Sequence, residues 1–429
     1  MNDALKSGAD EAGVEGDSGA VAGGGPGAGR SVASAPMSPP GAGGFDGSAE
    51  SASAAGRGDP AAQALRVEID RQIAAAGGWL SFDRYMACVL YTPGLGYYAG
   101  GRRKFGHMPA SGSDFVTAPE LSPAFGRALA VQVAQGLALT GHRVVTEFGA
   151  GSGALAQQVL SALDAAQPAD EPVRYRIVEL SAELRERQRE RLAAFGDRVQ
   201  WLDALPPRID GVVLGNEVLD AMPVQLITSP DGRQWLERGV VRTPEGALAW
   251  DDRPTALRPP DDVADQAWVP GTVTELHGPA EAFVRTLAGV AGRLLALFID
   301  YGFPEAEFYL PQRHGGTLMC HQAHRADPDP LDQPGAKDIT AHVNFTGIAL
   351  AAQEAGLEVA GYTSQARFLL NCGLLDLLQE ADIPARAAAQ KLITEHEMGE
   401  LFKVIALCRA LPDEVVPCGF VAGDRTHRL

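Results

Sequence analysis

A chain of 429 residues, 45% of them hydrophobic, is long enough for a large core built as one elaborated domain or two. Its net charge of −18 repels a phosphate backbone, which argues against nonspecific nucleic-acid binding and suits a basic or neutral protein partner. Five scattered cysteines without C-x-x-C spacing speak against a disulfide framework or a zinc site, and no apolar run approaches the ~20 residues that cross a bilayer.

Residues 1–60 are Gly, Ala and Ser with some Pro and acids, too poor in aromatic and branched side chains to bury a core, and are expected to be a disordered tail. The tail has few arginines and its start has no apolar stretch, so neither a secretory nor a mitochondrial signal is read there and the cytoplasm is the default expectation.

Residues 61–122 read as a helical extension carrying a lid. One helix begins at Ala61. A second follows Ser81 as N-cap, with Phe82, Tyr85, Met86, Val89 and Leu90 on one face, and Thr92-Pro-Gly94 ends it. The glycine-rich stretch from Gly100 to Ser113 carries Arg102, Arg103 and Lys104 and is either a mobile lid or a solvated loop. Thr117, Pro119 and Glu120 then precede a long apolar helix opened by Ser122-Pro123, either closing over a ligand or forming a turn.

From Val144 to Leu155 the chain reads Val-Val-Thr-Glu-Phe-Gly-Ala-Gly-Ser-Gly-Ala-Leu. A β-branched run ends in Glu147, then Gly149, Gly151 and Gly153 alternate, then a helical pattern begins. Glycines allow a sharp turn and close backbone approach to a ligand, and the helix start offers free N–H groups. Gly149-x-Gly151-x-x-Ala154 also satisfies a loose dinucleotide fingerprint. Glu147 before the loop and Gly153 completing it favour S-adenosylmethionine over a nicotinamide dinucleotide or a turn that binds nothing.

A second strand ends at Glu179, whose two acceptor oxygens suit a ribose diol. A third ends at Asp203, either facing an adenine amino group or simply turning the chain. The fourth, Gly211 to Gly215, runs into Asn216-Glu217-Val-Leu-Asp220-Ala-Met-Pro223. Ligands of open parallel sheets sit beyond the carboxyl ends of strands, so these acids lie where a reactive methyl group would be; Asn216 or Asp220 read equally as helix caps. Val224–Thr228, Gln234–Val241 and Leu248–Asp251 follow as a β-meander insertion within residues 224–272. The cofactor-binding body, begun at 123–223, resumes over 273–429 with a fifth strand at Leu294–Ile299, then Leu357–Tyr362 and an antiparallel last strand at Phe402–Leu407. Asp300 and Tyr301 follow strand five and face the same crevice. His321 and His324 form H-x-x-H beside Cys320, without the further ligands a metal site needs. His342 either assists proton removal or makes a helix-entry hydrogen bond.

Several segments together resemble a known family. They are Gly96-Tyr-Tyr98, Ser113 to Glu120, Glu147 to Gly153, Val178 to Ser181, Asn216 to Val224, Thr274 to His277, Asp300-Tyr-Gly302, Gly316 to Leu318 and Asp338 to His342. The chain from about Leu80 to about Leu407 resembles the MidA-like methyltransferases. The resemblance implies a class I Rossmann-like α/β fold with a seven-stranded sheet and S-adenosylmethionine as cofactor. It further implies, from the mitochondrial branch, a protein arginine methyltransferase that supports respiratory complex I assembly. One departure is visible: related loops often carry Pro-Gly-Arg-Gly where this chain has Ala150-Gly-Ser-Gly153, so a loop Arg contact is lost. The cofactor set expected is Glu147, Gly149, Gly151, Gly153, Glu179, Asp203, Asn216, Thr117 and Glu120. Glu217 is expected to grip the acceptor guanidinium with Asp220 or Glu275 completing the clamp, and Asp300, Tyr301 and His342 to line the substrate channel. An assembly chaperone without turnover and a small-molecule N- or O-methyltransferase stand as alternatives.

Overall fold

The structure, a computed structural model, describes residues 59–100, 117–166, 171–264, 266–322, 325–379, 381–412 and 415–429. The tail up to Gly58, the basic residues Arg102, Arg103 and Lys104 of the expected lid, and His324 lie outside the described residues.

Helix α1 (Pro60–Ala75) starts behind Asp59, whose carboxylate accepts the Ala61 N–H, with proline at the position where a missing donor costs nothing. Helix α2 (Phe82–Tyr91) buries the five apolar residues read from its period. Ser81 does not cap it as expected. Leu80–Ser81 is instead a two-residue strand, and the Ser81 hydroxyl turns to Asp83. Helix α3 (Pro123–Thr140) is capped by the Ser122 hydroxyl and stopped by Gly141 at φ 70°.

The chain then alternates strand and helix: β1 (Val144–Phe148), α4 (Ala154–Ala166), β2 (Arg174–Val178), α5 (Ala182–Leu192), β3 (Val199–Leu202) and β4 (Ile209–Asn216). Four antiparallel strands follow, β5 (Gln225–Ser229), β6 (Leu236–Arg242), β7 (Leu248–Pro254) and β8 (Thr272–Leu276). Leu80–Ser81 joins this second sheet by pairing with Val240 and Gly239 of β6. Helix α6 (Gly278–Val290) leads into the long strand β9 (Ala291–Phe303), and α7 (Phe345–Glu354), β10 (Glu358–Ser364), α8 (Gln365–Asn371) and β11 (Phe402–Arg409) complete the described elements used below.

The larger sheet runs β10-β11-β9-β4-β1-β2-β3. The five strands from β9 to β3 are mutually parallel, and β11 lies antiparallel between β9 and β10. Parallel strands covered on both faces read as near-continuous apolar runs, as in Leu294–Ile299. One face packs Phe125, Leu129, Val133, Leu155 and Val159 of α3 and α4 against Val212 and Leu214. The other packs Val284, Leu287, Phe345 and Ile348 of α6 and α7 against Val213 and Phe298. A separate cluster joins α1 and α2 to the antiparallel sheet through Leu65, Ile69, Phe82, Tyr85, Leu226 and Val240. The fold is therefore mixed α/β, with several sheets. Among the described residues no helix is long and apolar enough to cross a membrane.

Two details aim the strand ends. Val343–Asn344 pairs parallel with Gly302–Phe303, which carries His342 to the carboxyl end of β9. At the opposite end, β4 and β9 slip in register between Ala291 and Leu294, and Gly211 takes φ 100° there. A Cβ on Gly211 would lie 2.1 Å from the Val144 carbonyl oxygen. Gly211→Ala should therefore destabilise the protein by about 2–4 kcal/mol, combining strain and overpacking; denaturant unfolding with an unchanged midpoint would refute this reading of the bulge.

Candidate active site

The carboxyl ends of β1, β2, β4 and β9 open into one cavity of about 980 Å³. Its floor is the turn after β1. Gly149, Gly151 and Gly153 all take left-handed φ, at 62°, 53° and 81°. At Gly149 a side chain would press on Val218 Cγ2 at 3.2 Å, so glycine serves both conformation and space. Its N–H donates to the Val178 carbonyl, which locks the turn to the end of β2.

Glu147 lines the cavity and accepts a hydrogen bond from the Tyr175 phenol at 2.8 Å; burial pushes its pKa up to about 8. Glu179 also lines it, accepting the Ser181 N–H at 2.9 Å and the Gln188 amide at 3.1 Å. Burial raises its pKa against those donors. Gln188 is a tie that sequence reading missed: its Nε2 donates also to the Gly151 carbonyl, and its Oε1 accepts from Trp201 Nε1. One amide thus links α5, the glycine turn and the ends of β2 and β3.

Thr117 lines the cavity, but Glu120 is absent from its lining. Glu120 is buried and bonds the Ser152 hydroxyl and Arg191 Nη1, the latter at 2.9 Å. Arg191 also donates to Ser152, so helix α5 supplies the guanidinium beside a loop that carries none of its own. Asp203 is absent from the lining too; its exposed carboxylate accepts from Arg185.

The turn after β4 forms the opposite wall. Glu217 has φ 55°, a region a non-glycine residue occupies only under constraint. Its N–H donates to the Ile299 carbonyl at 2.9 Å. The constraint comes from Asp300, buried behind the turn and outside the cavity lining. Asp300 Oδ2 accepts the N–H groups of Val218, Leu219 and Asp220 at 3.1, 2.9 and 3.3 Å, and Oδ1 accepts that of Tyr301. Held this way, Asn216, Glu217 and Asp220 all face the cavity. Asn216 Nδ2 donates to Glu217 Oε1 at 3.0 Å, while Asn216 Oδ1 and Asp220 Oδ1 are buried without a partner. Burial, then the neighbouring Asp220, push the Glu217 pKa up to about 8. Burial likewise lifts Asp220 to about 6 against the Tyr301 phenol, and burial with the Asp220 and Glu217 charges raises Asp300.

The remaining wall is aromatic. Tyr91 donates to the Ala221 carbonyl and Tyr98 to Asp338 Oδ1, both at 2.7 Å, and their rings stack at 5.5 Å. Tyr301 meets His342 edge-on at 5.1 Å, His342 meets Phe303 at 5.3 Å, and the Arg313 guanidinium lies 3.7 Å from the Phe303 centroid. Burial, Arg313 and Lys403 hold the His342 pKa down to about 4, so the ring is neutral at pH 7. Glu275 is not in this wall. Its Oε1 accepts the Thr317 and Leu318 N–H groups at 2.7 and 2.9 Å and shapes the turn that lines the cavity in its stead.

The structure thus gathers Thr117, Glu147, Gly149, Gly151, Glu179, Asn216, Glu217, Asp220, Tyr301 and His342 around one space, and sets Glu120, Gly153, Asp203, Glu275 and Asp300 outside its lining. It adds Tyr98, Asp338, His321 and Arg313. Tyr98 and Asp338 stood inside segments shared with the resembled family; nothing in the sequence marked Arg313 or Gln188.

A glycine turn without side chains, a ribose-type acid one strand over and an unpartnered amide oxygen beside two acids fit S-adenosylmethionine, whose sulfonium is cationic. Fold and site together define an S-adenosylmethionine-dependent methyltransferase. Residues 128–363 match the family described as "Putative S-adenosyl-L-methionine-dependent methyltransferase", and the chain belongs to it. A COG1565 superfamily structure from Burkholderia thailandensis bound to S-adenosyl-homocysteine is 52% identical, covers 86% of this chain and 97% of its own, and superposes with a TM-score of 0.81. The protein arginine methyltransferase NDUFAF7 homolog, mitochondrial, of Caenorhabditis elegans is 27% identical over 81% of this chain and 88% of its own length. Its Drosophila melanogaster counterpart is 27% identical over 77% and 82%. These relatives are named as mitochondrial proteins, which overturns the expectation of a cytoplasmic one. A compartment is addressed by features separable from the fold, and the tail's few arginines and missing apolar stretch do not report it.

Raised acid pKa values make the protein's stability depend on pH. A carboxyl at about 8 in the folded state against 4.5 when free stabilises fully below 4.5, and that stability is lost as pH rises through 8. Melting temperature without ligand should fall between about pH 4.5 and pH 8, and fall less in Glu217→Gln. Scanning calorimetry that finds equal slopes in the two proteins would contradict the buried-acid assignment.

Proposed function

We propose that this methyltransferase modifies arginine side chains of a protein. The observation that supports the reading most is the pair Glu217 and Asp220, a half-buried and a buried acid on one cavity wall, the second with an oxygen that has no partner. An acceptor guanidinium stays protonated because its pKa exceeds about 12. Carboxylates that grip it hold positive charge away from the attacking nitrogen and orient it.

In this reading the turn of Gly149, Gly151 and Gly153 holds the cofactor with Glu147, Glu179, Asn216 and Thr117. S-adenosylmethionine, when bound, supplies a methyl group whose transfer leaves a neutral thioether and one proton to remove. Glu217 and Asp220 clamp the guanidinium. Glu217, whose pKa stands near neutrality, is well matched to receive the released proton. Asp300 acts through the backbone turn it holds, Glu120 through the Ser152 hydroxyl and Arg191, Glu275 shapes the Thr317–Leu318 turn, and Asp203 anchors Arg185. Tyr301, Tyr91 and Tyr98 exclude water around the acceptor.

The larger sheet corresponds in this reading to the seven-stranded Rossmann-like sheet of class I methyltransferases, formed by residues 123–223 and 273–429. The β-rich stretch 224–272 is its insertion. The relatives named as protein arginine methyltransferases favour a protein acceptor over a small molecule. A respiratory complex I-type subunit is the first acceptor to try.

Incubation with methyl-labelled S-adenosylmethionine and a lysate of the source organism should label a protein on arginine. Glu217→Gln should lower turnover at least about a hundredfold, as for truncating one partner of a buried charged pair, while cofactor binding by calorimetry persists. Full turnover in that variant would remove Glu217 from the chemistry.

A further inference from the structure

The cavity carries both signs of charge. Glu147, Glu179, Glu217, Asp220 and Asp338 line it, and Arg313 is the single arginine among its described lining residues. Arg313 is held on three counts. It ends the short helix Pro311–Arg313, its Nε donates to the Glu307 carbonyl at 2.9 Å, and its guanidinium lies over the Phe303 ring. That leaves Nη1 and Nη2 without an acceptor, and among the described residues no carboxylate lies within ion-pair distance. Glu307, the acid whose charge acts on Arg313, has its carboxylate paired with Arg428. With Nη1 and Nη2 free of protein acceptors, this half-buried guanidinium on the cavity wall is open to an anionic group entering the cavity.

His342, neutral at pH 7, leans on the same Phe303 ring with its Nδ1 buried and unpartnered, and Lys403, which pairs with Glu400, lies 5.9 Å from that ring. From Arg313 the rings of Phe303, His342 and Tyr301 lead in sequence to the wall that holds Asp220. Cationic and acidic ends are therefore separated by a ladder of aromatic rings, which sets a fixed span.

We propose that Arg313, with His342 beside it, is a specificity-determining anion subsite that recognises a carboxylate on the methyl acceptor. The acceptor is dipolar: its guanidinium enters the Glu217–Asp220 end while its carboxylate meets Arg313. The inference rests on the arginine reading above. Opposed charges orient such an acceptor and reject a doubly cationic one. The carboxylate is an Asp or Glu side chain flanking the target arginine, or a free chain terminus.

Arginine-centred nonapeptides with Asp, Asn or Lys at each flanking position, together with peptides ending in arginine as free acid or amide, separate these sources. The wild-type enzyme should prefer an acidic neighbour or a free terminus by about tenfold in kcat/KM, the worth of one charge-assisted contact. Arg313→Gln should flatten the preference to within about twofold, and Arg313→Glu should reverse it toward Lys-flanked peptides. Affinity for S-adenosyl-homocysteine by calorimetry should stay within about twofold in both variants. Reversal is a result that a purely bracing role for Arg313 would not give. Arginine methylation with no charge preference, or a preference unmoved in Arg313→Gln, overturns the subsite alone. Loss of cofactor affinity assigns Arg313 to the cofactor and overturns it as well. No labelling of any arginine peptide overturns the arginine reading and the subsite with it.

Discussion

Asp300 is the pivot of the site. A single buried carboxylate accepts three successive N–H groups from the turn after β4, and the fourth N–H it accepts is that of its own neighbour Tyr301. Those donors would otherwise be a row of unsatisfied backbone groups at the end of a buried strand. Satisfying them at one point forces Glu217 into a left-handed conformation and turns Asn216, Glu217 and Asp220 to the same side. Because β9 pairs with β4 up to Ile299 and Asn216, the register of the two strands places Asp300 directly behind the turn it holds. The parallel sheet and the acids at its edge are thus one arrangement.

Charge balance in the cavity follows from that geometry. Burial raises the pKa of Glu147, Glu179, Glu217 and Asp220, which all face the cavity, and Glu147 and Glu217, pushed up to about 8, hold protons near neutrality when no ligand is bound. A bound cation reverses this by lowering those pKa values and expelling protons. The same burial that makes bare acids unfavourable makes the cavity receptive to a sulfonium or a guanidinium.

Much of this was legible from the chain. The 3.6-residue period of α2, the apolar strands of the larger sheet and the alternating glycines rest on local physics, and they fall close to where their patterns placed them, although β9 starts three residues before and ends four after Leu294–Ile299. Glu217 and Asp220 were readable because a strand end in an open parallel sheet is a position with a function. Glu275 was not, since whether a strand acid faces a cavity or caps a neighbouring turn depends on a partner, Thr317, some forty residues away. Asp203 failed for a similar reason: Arg185, near the start of the preceding helix, draws it outward. Gln188 and Arg313 matter through contacts with Gly151, Trp201 and Phe303 that no local pattern encodes. Ser81 looked like a cap and became a strand because β6 offered an edge.

The place of β11 bears on how the protein is made. It lies inside the sheet, between β9 and β10, yet follows both in the chain. As a nascent chain emerges, the apolar edge of β9 from Leu294 to Tyr301 must wait for Phe402–Arg409 before its hydrogen bonds are met. During that interval an open, long and hydrophobic strand edge is a template for the wrong neighbour. Phe402 also lines the cavity, so the chamber closes with the same late strand. A chain cut short before that strand would lack both a protected sheet and a finished chamber, which couples catalytic competence to completed synthesis.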